Sequence, residues 1–176
     1  MNSIVWKIFR GPRRARVFNW FPAFRGTGGR VTYVAEDFRE IRISIPLNWR
    51  TRNYVGTIFG GSLYAAVDPF FMIMLMETLG PEYVVWDRAA AIRFRKPGRE
   101  KLFGRFLLPV EDTDEIRRLL RTERSIDRVY AIDLVDAAGT VHATVEKTIY
   151  MRLRDRPALP HPAGTPPPAA PSSRPD

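Results

Sequence analysis

The 176-residue chain contains no cysteine, which excludes disulfides, thiolate metal sites and a cysteine nucleophile and leaves packing to stabilise the fold. Histidine is almost as scarce. His142 and His161 are the two present, and His161 lies in a proline-rich stretch, so a multi-histidine metal site is excluded and neither metal nor other cofactor is expected. No uninterrupted run of about 18 apolar residues marks a membrane span, because Asp68 and Pro69 break the best candidate. A secretory leader would need about 7 to 15 consecutive apolar residues, and Arg10, Arg13, Arg14 and Arg16 deny it that stretch. A cytoplasmic location is the expectation.

Acidic residues are missing altogether before Glu36. That leaves Lys7, Arg10, Arg13, Arg14, Arg16, Arg25 and Arg30 interleaved with Trp6, Phe9, Phe18, Trp20, Phe21 and Phe24. Such a segment suits peripheral contact with a membrane through residues 1–25. With a net charge of +9 the whole chain attracts anions. Nucleic acid is the disfavoured anion, since the basic residues are scattered and no recognition motif accompanies them.

A hydrophobic content of 45% is ordinary for one domain with a buried core. Residues 1–29 read as a basic, aromatic helical segment, 30–154 as the folded domain, with its core beginning near Arg30, and 155–176 as a disordered tail rich in Pro, Ala and Ser. Val31, Tyr33 and Ala35, then Ile41, Ile43 and Ile45, alternate as in half-buried strands. The stretch 61–79 is apolar on every side, the pattern of a buried helix, although Pro69 cannot donate to the Ala65 carbonyl and should bend it. Two strand pairs are predicted as hairpins, 84–95 with 101–109 and 128–135 with 141–151, separated by a surface helix over 112–124. The order is α+β, a curved antiparallel sheet wrapped around one long helix.

Between the early strands and the apolar helix stand Asn53, Gly56, Thr57, Phe59, Gly60, Gly61 and, on the helix, Asp68. This series resembles the loop and first helical turns of hotdog-fold acyl-CoA thioesterases, notably the phenylacetic-acid-pathway type, which show Asn, Gly-Thr, His-Gly-Gly and Asp at the same spacing. Phe59 stands where those enzymes usually carry histidine. Taken whole, the chain looks most like a thioesterase-like branch of that superfamily whose domain has no assigned function. The resemblance implies a hotdog fold, an acyl-CoA or other acyl thioester as substrate, and a homodimer or homotetramer. It implies Asp68 as nucleophile or base, the Gly60 amide as the group that polarises the thioester carbonyl, and Asn53 as a helper. Asp87 falls near where those enzymes place a second polar residue.

Physical chemistry supports part of this. A helix N-terminus offers free N–H groups to an oxyanion, and glycine lets a substrate approach the backbone. Asp68 lies about 12 Å further along the helix, so one carbonyl cannot touch both residues of the same chain. If both act, two copies must meet. Gly61, Phe59, Thr57, Arg93 and Arg95 are candidates for substrate binding, the arginines for the phosphates of coenzyme A. Each residue also has a structural reading: Gly60 and Gly61 as a tight turn, Asn53 as a turn residue, Asp68 and Asp87 as hydrogen-bonding or solvated carboxylates, and the arginine cluster as solvated surface. A non-catalytic acyl-CoA binding protein is the alternative to an enzyme.

Overall fold

The computed structural model describes residues 13–155. Two short helices, α1 (Arg13–Trp20) and α2 (Pro22–Gly26), precede strands β1 (Arg30–Val34) and β2 (Glu40–Ile45). The apolar segment follows as α3 (Gly60–Ala65) and α4 (Phe70–Leu79). Strands β3 (Tyr83–Phe94) and β4 (Leu102–Leu107), helix α5 (Val110–Thr122) and strands β5 (Ile126–Val135) and β6 (Val141–Leu153) complete the fold. One antiparallel sheet has the order β1-β2-β4-β5-β6-β3 and packs around the central helical segment. This is the α+β, hotdog-type layout that the sequence predicts.

The central helix forms because its side chains have somewhere apolar to go. Phe70, Met74 and Leu75 are fully enclosed. Phe70 is the hub: its ring centroid lies 5.7 Å from Phe18, 5.3 Å from Phe24 and 5.0 Å from Phe106. Edge-on and tilted pairs of this kind add about 0.5–1.5 kcal/mol each beyond the area they bury. The core therefore begins upstream of Arg30, where the alternation pattern first shows, because α1 and α2 contribute Phe18 and Phe24. By length and composition Gly60–Leu79 has the character of a membrane span, but here it is the core element of the sheet.

Pro69 interrupts that helix as expected. The backbone turns through Val67 and Asp68, whose amides both donate to the Tyr64 carbonyl (2.9 and 3.0 Å), before α4 resumes. Gly80 ends α4 at φ 106°, a conformation that glycine adopts without steric cost. The Arg117 guanidinium of α5 donates to the Thr78 carbonyl at 2.5 Å, satisfying one of the last carbonyls of α4.

The predicted hairpin of β5 with β6 forms. The predicted hairpin of β3 with β4 does not. Instead β3 pairs with β6 along its length at the far edge of the sheet, while β4 lies between β2 and β5. Length explains the exchange: β3 has 12 residues and β6 has 13, whereas β4 has 6 and matches the 6 of β2. Turn residues such as Pro97 and Gly98 mark a reversal without choosing the partner strand. Helix α5 starts two residues before its predicted start, with Glu111 and Asp112 in its first turn, where the helix dipole favours them.

Candidate functional site

Asp68 sits at the bend, and its surroundings explain how a carboxylate survives there. From β6, Lys147 reaches under the helix with only 1% of its side chain exposed. Its ammonium donates to Asp68 Oδ1 at 2.5 Å, to the Asp68 carbonyl oxygen at 3.0 Å and to Asp87 Oδ2 at 3.1 Å. The Tyr64 hydroxyl, one helical turn before Asp68, donates to the same Oδ1 at 2.9 Å. Asp68 Oδ2 has no hydrogen-bond partner among the described residues. Asp68 is 45% exposed, so its second oxygen need not remain dry.

Two carboxylates share one buried cation, which leaves the cluster with a net negative charge. Burial pulls the Lys147 ammonium down, but hydrogen bonds to Asp68 and Asp87 more than offset this and hold it above the usual lysine value. For Asp87 the balance runs the other way. Desolvation outweighs the bond from Lys147 and raises the carboxyl, and its buried Oδ1 has no protein partner among the described residues. Tyr64 is raised by burial and by donating to Asp68, so it stays a hydroxyl donor at neutral pH.

Asp68 and Tyr64 stand on the wall of a cavity of about 480 Å³ between the central helix and the N-terminal helices. Phe18, Phe21, Phe24 and Ile73 make that cavity almost wholly apolar. It has room for an alkyl or aromatic group beside a carboxylate.

Gly60 faces a different space. Together with Asn53, Thr57, Arg95 and Lys96 it lines a second cleft of about 360 Å³ at the start of α3. Glycine leaves room there for the Phe94 ring, since a Cβ on Gly60 would lie 2.8 Å from Cζ of Phe94. The ring of Phe59 lies closer still over Gly61, where a Cβ would fall 2.3 Å from Cε1, and a phenyl ring offers no hydrogen bond to a substrate. Asn53 is occupied within its own loop: Nδ2 donates to Thr57 Oγ1 at 2.8 Å, and Oδ1 accepts from the amides of Val55 and Thr57. Arg93 is exposed on β3 and does not line this cleft. The floor of the cleft is fastened from β6, where the His142 carbonyl accepts from the amides of Arg95 and Lys96. The His142 ring bridges the Pro97 carbonyl and Asp136 Oδ2, each at 3.1 Å.

The structure thus unites Asp68 with Asp87, and Gly60 with Asn53, Thr57 and Arg95, and separates the two groups within one chain. Lys147 and Tyr64 escaped the sequence reading. Strand parity carried the signal for Lys147, which shares a face with Ala143, Val145, Ile149 and Met151 and is the charged member of an otherwise apolar row. Tyr64 carried it in the four-residue spacing to Asp68. Among the described residues no group of three His, Asp or Glu side chains is placed to hold a metal ion.

A six-stranded antiparallel sheet around a bent apolar helix, with an aspartate at the bend and paired glycines at its start, defines a protein of the hotdog fold. Residues 14–151 match the family described as the domain of unknown function DUF4442, and the chain belongs to that family. Among solved structures it is similar to a Pseudomonas aeruginosa protein of unknown function described as a probable thioesterase, at 16% identity and a TM-score of 0.69, covering 88% of this chain and 97% of that one. It is also similar to a Haemophilus influenzae thioesterase (15% identity, TM-score 0.61, 82% and 92% covered) and to a mutant thioesterase of P. aeruginosa (11%, 0.60, 81% and 94%). At these identities the likeness shows the fold. No curated protein matches the chain in sequence.

Proposed function

We propose that the protein hydrolyses acyl thioesters, acyl-CoA among them, at sites shared between two copies of the chain. The observation that carries this reading is Asp68: one oxygen is fixed by Lys147 and Tyr64, the other has no partner among the described residues, and the group borders an apolar cavity suited to an acyl chain. Its Oδ2 takes a proton from water as the water oxygen attacks the thioester carbon. The C–S bond then breaks, and the leaving thiolate recovers the proton from Asp68. The oxyanion of the intermediate is met by the Gly60 amide of the second copy, with Arg95 and Lys96 beside it for the phosphates of coenzyme A. Two features support a shared site. Asp68 and Gly60 face separate spaces within one chain, and β3 lies at the end of the sheet with one edge open to a second copy.

The test is release of free thiol from short, medium, long and aromatic acyl-CoAs, with Asp68→Asn as the control. Turnover reduced a hundredfold or more by the substitution supports the reading. A folded protein that binds acyl-CoA as tightly before as after Asp68→Asn, and hydrolyses none, is instead a binding module. The phenyl ring of Phe59, in the place where resembling enzymes carry histidine, is the observation that favours that second reading.

A further inference from the structure

On the outer side of α1 lies a polar cleft of about 660 Å³ whose charged lining is entirely cationic: Arg16 from α1, Arg25 from α2, Arg30 from β1 and Arg50 from the loop after β2. No carboxylate lines it. All four arginines are exposed. Arg50 is braced, donating to the Arg25 carbonyl at 3.0 Å and standing 5.9 Å over the Trp49 ring. The side chains of Arg16, Arg25 and Arg30 have no acidic partner among the described residues. Two tryptophans complete the rim, Trp20 at 79% exposure and Trp49 at 88%. Phe21, beside Trp20, is also half exposed.

From this we infer that the α1 and β2-loop face is a docking surface for the headgroup layer of an anionic lipid bilayer. Three properties select a bilayer. The arginines come from four separate elements and offer a broad field of positive charge, which suits a plane of phosphates. Exposed indole rings have a favourable place at the polar–apolar boundary of a bilayer, a boundary that a small soluble anion does not offer. Trp20 is also a wall of the apolar cavity that reaches Asp68, so the aromatic rim that meets the lipid borders a compartment for an alkyl chain. The inference stands on this surface and not on hydrolysis at Asp68, so either can fail without the other.

The test is co-sedimentation of the full chain with phosphatidylcholine vesicles, with and without added phosphatidylglycerol. The expected result is partition onto the anionic vesicles that weakens as salt is raised. Replacing Arg16, Arg25 and Arg30 by glutamine one at a time should lower the partition coefficient about fivefold each. Trp20→Ala and Trp49→Ala should weaken binding while leaving the thermal midpoint unchanged, because both rings are exposed. Equal binding to neutral vesicles, or no binding to either, overturns the proposal. So does unaltered sedimentation of the arginine variants, which would assign binding to another part of the chain. Binding of ATP or single-stranded DNA with the same arginine dependence, without vesicle binding, would make the cleft a site for a soluble polyanion and overturn it too.

Discussion

The bend and the start of the central helix hold their polar groups in opposite ways. At Asp68 the charge is paired beneath the helix: a lysine with almost no exposure bonds two carboxylates, and a phenol shares Asp68 Oδ1, beside an apolar cavity. At Gly60 the backbone is shaped by the rings of Phe59 and Phe94, and the charges of Arg95 and Lys96 stand in the open. The first region should be energetically costly to alter, and the second cheap to alter and sensitive mainly in its chemistry.

The sharpest way to break this contrast is Lys147→Met. It leaves Asp68 and Asp87 facing each other without a cation, and the expected loss is about 3 kcal/mol, at the low end of what severing a buried pair costs because Asp68 is partly exposed. A fall in the urea midpoint without a change in slope would measure it. An unchanged midpoint would mean that the cluster contributes nothing to the fold. At the start of the helix, Gly60→Ala must push the Phe94 ring aside. That ring is exposed and can swing, so stability should fall by about 1 kcal/mol or less while thioester turnover falls steeply. Comparable losses from the two substitutions would erase the distinction.

The smallest effect concerns the fastener under the Gly60 cleft. Asp136 is held down to about 2 by the His142 ring, and further by the amides of Thr140 and Ala138. A carboxylate depressed in the folded state stabilises fully above its ordinary value near 4 and loses that contribution as pH falls through about 2. Acid titration of the folded protein should therefore show a step between those values that is absent in Asp136→Asn. Identical acid profiles for the two proteins would show that this bond does not couple to folding.

The legible parts of the sequence were those governed by local period and local chemistry. The all-round apolarity of 61–79 announced the central helix, Pro69 announced its bend, and alternation announced the strands. The Asn53 to Asp68 series placed both candidate groups on the chain. Sheet order was illegible, because β3 and β6 are joined by strand length and shared register across more than forty intervening residues. The counter-ion was missed for a related reason. Lys147 lies 79 positions from Asp68 and meets it only once β6 runs beneath the helix.

Lys147 also gives the sheet a means of checking its own assembly. Slip β6 by one residue and every side chain changes face, so the lysine would turn outward while Glu146 or Thr148 entered beneath the helix. Neither could neutralise Asp68 and Asp87, and a glutamate would add a third negative charge. A misaligned sheet would also turn Val145, Ile149 and Met151 outward, and beyond that loss of burial it could not balance the helix bend electrically. The ammonium thus acts as a registration mark: the chain gathers its candidate chemistry only when its longest strand is threaded correctly.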